Sequence, residues 1–159
     1  MHSASSSPTI RPFEAADEAA VIALWHRCGL VRAWNDPAKD IARKLAVQPE
    51  LFGVMVDERP GHEGAVLGTV MAGYEGHRGW INYLAVDPAA QRHGLGRALM
   101  NWAEARLAEA GCPKINLQVR EGNEPVLGFY AAIGFTNDGV VSLGKRLVSD
   151  EGESGARSH

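Results

Sequence analysis

Between Gln91 and Arg97 the chain reads Gln-Arg-His-Gly-Leu-Gly-Arg, two glycines set among basic side chains immediately before a helical stretch. Gly94 and Gly96 allow backbone conformations and close approaches that other residues resist. The first N–H groups of a helix lack intrahelical partners, and the helix dipole adds about half a positive charge at that end. With Arg92 and Arg97 on either side, such an entrance favours an anion, above all a phosphate or pyrophosphate. From the glycines alone, a plain helix start is an equally good account.

The flanking elements give the loop its place. An apolar run ends at Leu84-Ala85-Val86, Asp87-Pro88 turns the chain, and Leu95, Ala98, Leu99, Trp102, Ala103 and Leu107 then fall on one face of a helix. The loop is not a P-loop, because Arg97-Ala98 stand where Lys-Ser/Thr is required. It is not a dinucleotide fingerprint either, because Leu99 occupies the third glycine position.

The 159 residues suit one domain with a real core. Sixteen Lys and Arg against nineteen Asp and Glu leave a net charge of −3, which argues against general nucleic-acid binding. No apolar run reaches membrane-spanning length, and the serine-rich residues 1–8 lack the apolar core of a signal peptide. Residues 1–8 and 149–159 are expected to be disordered, with the folded domain at 9–148. Cys28 and Cys112 are expected to be reduced, buried and cytosolic, and the six histidines show no metal-ligand spacing.

The remaining elements follow from periodicity and punctuation. Strands are expected at Thr9 to Phe13, Leu51 to Val56, Ala65 to Tyr74, Trp80 to Val86, Lys114 to Val119, from Phe135 onward and at Val140 to Arg146. Helices are expected at Ala15 to Cys28, from Pro37 to Pro49, from Leu95 to Ala110 and at Glu124 to Ile133. Asn35 or Asp36 is placed to cap the second helix. This order describes an α/β domain, a mixed sheet with helices on both faces. Asn123 and Tyr130, at the two ends of the last helix, read by themselves as a cap and a core tyrosine.

The Gln-Arg-x-Gly-x-Gly loop after a strand ending Ala-Val resembles the acyl-CoA pyrophosphate loop of the GNAT superfamily of N-acyltransferases. The element order resembles that fold over Thr9 to about Val148, with a single-domain, largely antiparallel sheet. Asn123, Tyr130 seven residues on, and Gly134-Phe135 match a second family pattern. Trp34-Asn35-Asp36-Pro37, Gly73 to Gly79, Gly111 to Lys114 and Ser142 to Leu147 are similar to bacterial members.

The resemblance implies an N-acetyltransferase with acetyl-CoA as donor, a primary amine as acceptor and direct attack in a ternary complex. It places Arg92, His93, Gly94, Leu95, Gly96 and Arg97 at the pyrophosphate and Asn123 on the CoA arm. Backbone groups of Leu84, Ala85 and Val86 would meet the pantetheine or the thioester. Tyr130 would be the acid that protonates the departing thiolate, which suits a phenol of pKa about 10 facing a thiol of about 8.5. No metal is implied, and the family's usual bases are missing, with Trp80 and Gln118 at those positions. Glu75 and Asp36, the former beside His77 in a hairpin turn and the latter in the region that covers the acceptor in this fold, are the local candidates to orient or deprotonate the amine. The acceptor, whether a small molecule or a protein or peptide amine, stays open. So do a monomeric or homodimeric state and a second reading, an acyl-CoA-binding regulatory domain with little turnover.

Overall fold

The computed structural model describes residues 7–91 and 94–151; Arg92 and His93 lie outside the described residues. The chain runs through β1 (Thr9–Pro12), α1 (Glu18–Arg27), α2 (Pro37–Leu45), β2 (Phe52–Val56), β3 (Val66–Tyr74), β4 (Gly79–Val86), α3 (Leu95–Glu109), β5 (Ile115–Asn116) and α4 (Glu124–Ala132). The five strands form one sheet in sequence order. Neighbours from β1 to β4 are antiparallel, and β5 joins β4 in parallel. This is a mixed, largely antiparallel sheet in a single α/β domain.

Helices cover both faces. Val21, Leu24 and Trp25 of α1 and Ile41 of α2 pack with Phe52, Val54 and Met71 on one side. Leu99, Met100, Trp102, Ala103 and Leu107 of α3 pack with Met55, Val70, Ala72 and Ile81 on the other. The α3 side chains sit close because glycines face them. A Cβ on Gly53 would fall 2.6 Å from the Trp102 ring, and one on Gly68 would fall 2.8 Å from Leu99. Interiors packed to crystal-like density leave no slack for those atoms.

Strand β4 carries a bulge. Thr69 pairs with Ala85 but Met71 pairs with Asn82, so three steps on β4 answer two on β3. Tyr83 takes the strain at φ +51°, a left-handed value costly for a non-glycine residue. The inserted step reverses the side-chain alternation. Ile81 therefore packs on the α3 side, whereas Tyr83, two residues later, packs on the α1 side.

Three expectations need correction. The strand expected from Lys114 to Val119 holds only Ile115 and Asn116 in the ladder. Residues 135–148 form no strand, and Val140, Val141, Leu143 and Leu147 are each at least 77 % exposed. Their apolar pattern fits a strand, but a strand needs an edge to pair with, and so short a β5 supplies almost none. Cys28 and Cys112 are free, as expected, but only half-buried. Beyond the expected boundary at Val148, the Asp150 carboxylate accepts from the Asp36 N–H at 2.9 Å and pairs with Arg43 at 2.5 Å.

Candidate active site

Parallel pairing between β4 and β5 stops after Trp80↔Asn116, and beyond it the two chains part. The gap opens into a cleft of about 770 Å³, within the usual range for small-molecule sites. Asn82, Tyr83 and Leu84 form one wall, Leu117 to Arg120 the opposite wall, and Asn123, Val126 and Tyr130 of α4 close one end. The loop before α2 and α2 itself, through Asn35, Asp40, Arg43 and Lys44, form the other end.

Three expected site residues thus meet in one cavity: Leu84, Asn123 and Tyr130. Asn123 caps α4, its side chain accepting from the Val126 N–H. Tyr130 is wedged edge-on between Phe129 and Phe135, with ring centroids 5.0 and 5.6 Å away. Burial pushes its hydroxyl up to about 12, so it is a neutral proton donor at pH 7. Of the β4 neighbours, Ala85 and Val86 pair with Thr69 and Gly68 and do not line the cleft.

The entrance of α3 begins at a glycine. Gly94 is its N-cap at φ +72°, no side chain caps the helix, and its first turn holds no acid. Gly96 also makes room for α4, since a Cβ there would lie 3.2 Å from the Phe129 ring. Arg97 spends one donor on the Ala132 carbonyl at 3.3 Å. Arg92 and His93 fall outside the described residues.

Neither local candidate for the amine lines the cleft. Glu75 stays in the hairpin turn, where its carboxylate accepts from the backbone N–H groups of His77 and Arg78, and these hold it below the ordinary glutamate range. Asp36 is the N-cap of α2, accepting from Ala38 and Lys39 at 2.9 and 3.2 Å. Both carboxylates serve the backbone, which is the commonest use of an acid in a turn or at a helix start.

Nothing in the residue pattern warns of what does line that end. The Tyr83 hydroxyl donates to Asp40 Oδ2 at 2.7 Å, and Arg43 donates to Asp40 Oδ1 at 3.2 Å. Burial, followed by the hydrogen bond to Asp40, drives the Tyr83 hydroxyl well above the usual tyrosine range. The Tyr83 ring stacks on Trp25 with centroids 3.7 Å apart. Trp25 Nε1 donates to Thr69 Oγ1, which donates to the Tyr83 carbonyl, so a buried relay fixes the bulge. Lys44 is buried too: its Nζ donates to the Ala72 carbonyl at 2.5 Å, and desolvation lowers its pKa. A strand tyrosine and an acid on an amphipathic helix read as core and solvent face, and no glycine or proline marks the bulge.

Among the described residues no group of His, Cys, Asp and Glu is arranged to hold a metal, and no helix is long and apolar enough to cross a membrane.

The profile of the Acetyltransferase (GNAT) family matches residues 19–135. Acetyltransferase YE1169 of Yersinia enterocolitica is 45 % identical over 142 residues, which is 89 % of this chain and 97 % of that protein. Among solved structures, Ard1 from Thermoplasma volcanium superimposes with a TM-score of 0.65 at 25 % identity, over 82 % of this chain and 83 % of that one. The ribosomal-protein-S18-alanine N-acetyltransferase from Escherichia coli gives 0.65 at 25 % identity, over 81 % of this chain and 77 % of that one.

Proposed function

Since this chain belongs to the acetyltransferase (GNAT) family, we propose that it transfers an acetyl group from acetyl-CoA to a primary amine by direct attack in a ternary complex. The observation that carries this reading is the meeting of Leu84, Asn123 and Tyr130 in the cleft between β4 and β5. The donor's pyrophosphate is assigned to the N–H groups of Leu95, Gly96 and Arg97. Asn123 and the Leu84 backbone hold its arm.

Attack of the amine on the thioester carbonyl creates an oxyanion and then expels a thiolate. Backbone N–H groups near the bulge favour the oxyanion. Tyr130, neutral and otherwise unengaged by hydrogen bonds among the described residues, protonates the sulfur. One structural neighbour is named as a ribosomal-protein-S18-alanine N-acetyltransferase, which supports an amine on an amino acid or peptide as the acceptor type.

The test is thiol release from acetyl-CoA in the presence of an amine panel, paired with calorimetric titration of acetyl-CoA. The expected result is micromolar donor binding and amine-dependent thiol release. Tight donor binding with no release for any amine would establish the acyl-CoA-binding regulatory reading instead.

A further inference from the structure

Building on the acetyl-transfer reading, we propose that the acceptor's ammonium docks on Asp40, which takes its proton, and that the acceptor carries a carboxylate or phosphate of its own. Asp40 is the sole carboxylate among the described residues that line the cleft. Its position is enforced from two elements: Tyr83 from the β4 bulge on one oxygen, Arg43 from the next turn of α2 on the other. A carboxylate has about four lone-pair directions, so both oxygens keep room for an incoming N–H.

The rest of the cleft's charged lining is basic. Arg32, Arg43, Lys44 and Arg120 line the cleft beside the single acid. Asp150 answers Arg43, with its side chain fully buried against it. Arg32 bonds only to the Gly29 and Val31 carbonyls, and Arg120 lies 5.7 Å over the Trp34 ring; neither has a carboxylate partner among the described residues. A second cation on the acceptor would meet this excess as repulsion, whereas an anionic group beside the amine would relieve it. An amino acid has this shape and charge, as does a small aminoalkyl phosphate.

The proton count closes. The ammonium gives one proton to Asp40, which passes it to water. The free amine forms the N–C bond as the C–S bond breaks, and the second proton it sheds restores the one Tyr130 gives to the thiolate. The products are an amide, CoA thiol and one released proton.

The experiment compares L-amino acids, O-phosphoethanolamine, ethanolamine, spermidine and kanamycin as acceptors by thiol release across pH, for wild type, Asp40→Asn, Tyr83→Phe and Arg120→Gln. An anionic amine should exceed ethanolamine about tenfold in kcat/KM, and spermidine should be poorest. Asp40→Asn should lose about 100-fold in kcat/KM at unchanged acetyl-CoA affinity. If Asp40→Asn does not fold, Tyr83→Phe still tests the idea: the carboxylate loses a donor that fixes it, and KM for the amine should rise at unchanged acetyl-CoA affinity. Arg120→Gln should raise KM for the anionic amine and leave that for ethanolamine alone. Preference for spermidine or kanamycin, or an Asp40→Asn enzyme with wild-type kcat/KM, overturns the proposal while leaving acetyl transfer intact. Absence of turnover in the wild type with every acceptor overturns both.

Discussion

A Cβ added to Gly96 would stand 3.2 Å from Cζ of Phe129, and Phe129 is the residue against whose ring Tyr130 rests. The glycine at the α3 entrance and the tyrosine in the cleft are therefore mechanically joined. Gly94, two residues earlier, has open space around it and is constrained only by its φ of +72°. Alanine at Gly96 is expected to lower kcat more than it weakens acetyl-CoA binding. Alanine at Gly94 should cost about 1–2 kcal/mol of stability through backbone strain. Steady-state kinetics, calorimetry and urea denaturation of the two variants separate these outcomes.

Tyr130→Phe keeps the ring between Phe129 and Phe135 and removes only the hydroxyl. Loss of one positioned acid costs about 10²–10⁴-fold in rate. Near-normal acetyl-CoA affinity with such a fall in kcat is the expected result. Parallel loss of affinity would mark the tyrosine as a packing residue.

Thr69→Val cuts the relay from Trp25 to the Tyr83 carbonyl at its centre. It strands a buried indole N–H, and each such group costs about 1–3 kcal/mol. Chemical denaturation should register that loss. Because the relay fixes the bulge, KM for the acceptor should rise as well, and an unchanged KM would uncouple the relay from the site.

Arg43 and the Asp36 N–H hold the Asp150 carboxylate far below its ordinary pKa. Asp57, bound by Arg59, is lowered to about 2. A carboxyl depressed in the folded state contributes stability that is complete above its unfolded pKa, about 4, and disappears as pH falls through the folded value. Melting temperature should thus decline from about pH 5 downward. In Asp150→Asn the decline should be shallower and the plateau near neutrality lower. Identical pH curves for the two proteins would deny the pair a role in stability.

Much of the frame was legible in the residues. Periodicity found α1, α3 and α4, and the Asp36-Pro37 pair marked the start of α2 because cap and proline act locally. The starts of α3 after Gly94 and of α4 after Asn123 were legible for the same reason, since each belongs to one helix. What escaped depends on contacts across the sequence. Tyr83 and Asp40 are 43 positions apart and meet only after the bulge turns Tyr83 to the α1 side. Glu75 and Asp36 looked available because a sequence does not show which backbone N–H groups a carboxylate will satisfy. The strand at Val140 to Arg146 failed for a related reason: alternation describes a face, and pairing requires a partner edge.

The stack of Tyr83 on Trp25 has an optical consequence. Trp25 is wholly buried, while Trp34 and Trp80 are exposed and Trp102 lies on the opposite side of the sheet. Its indole should emit at the short-wavelength edge of the tryptophan spectrum, in contact with the ring whose hydroxyl meets Asp40. The protein therefore carries its own fluorophore at the amine end of the cleft. Blue-edge emission, to which the buried Trp102 adds a share from the other side of the sheet, can follow occupancy there without a dye, while the exposed indoles supply an internal reference at longer wavelength.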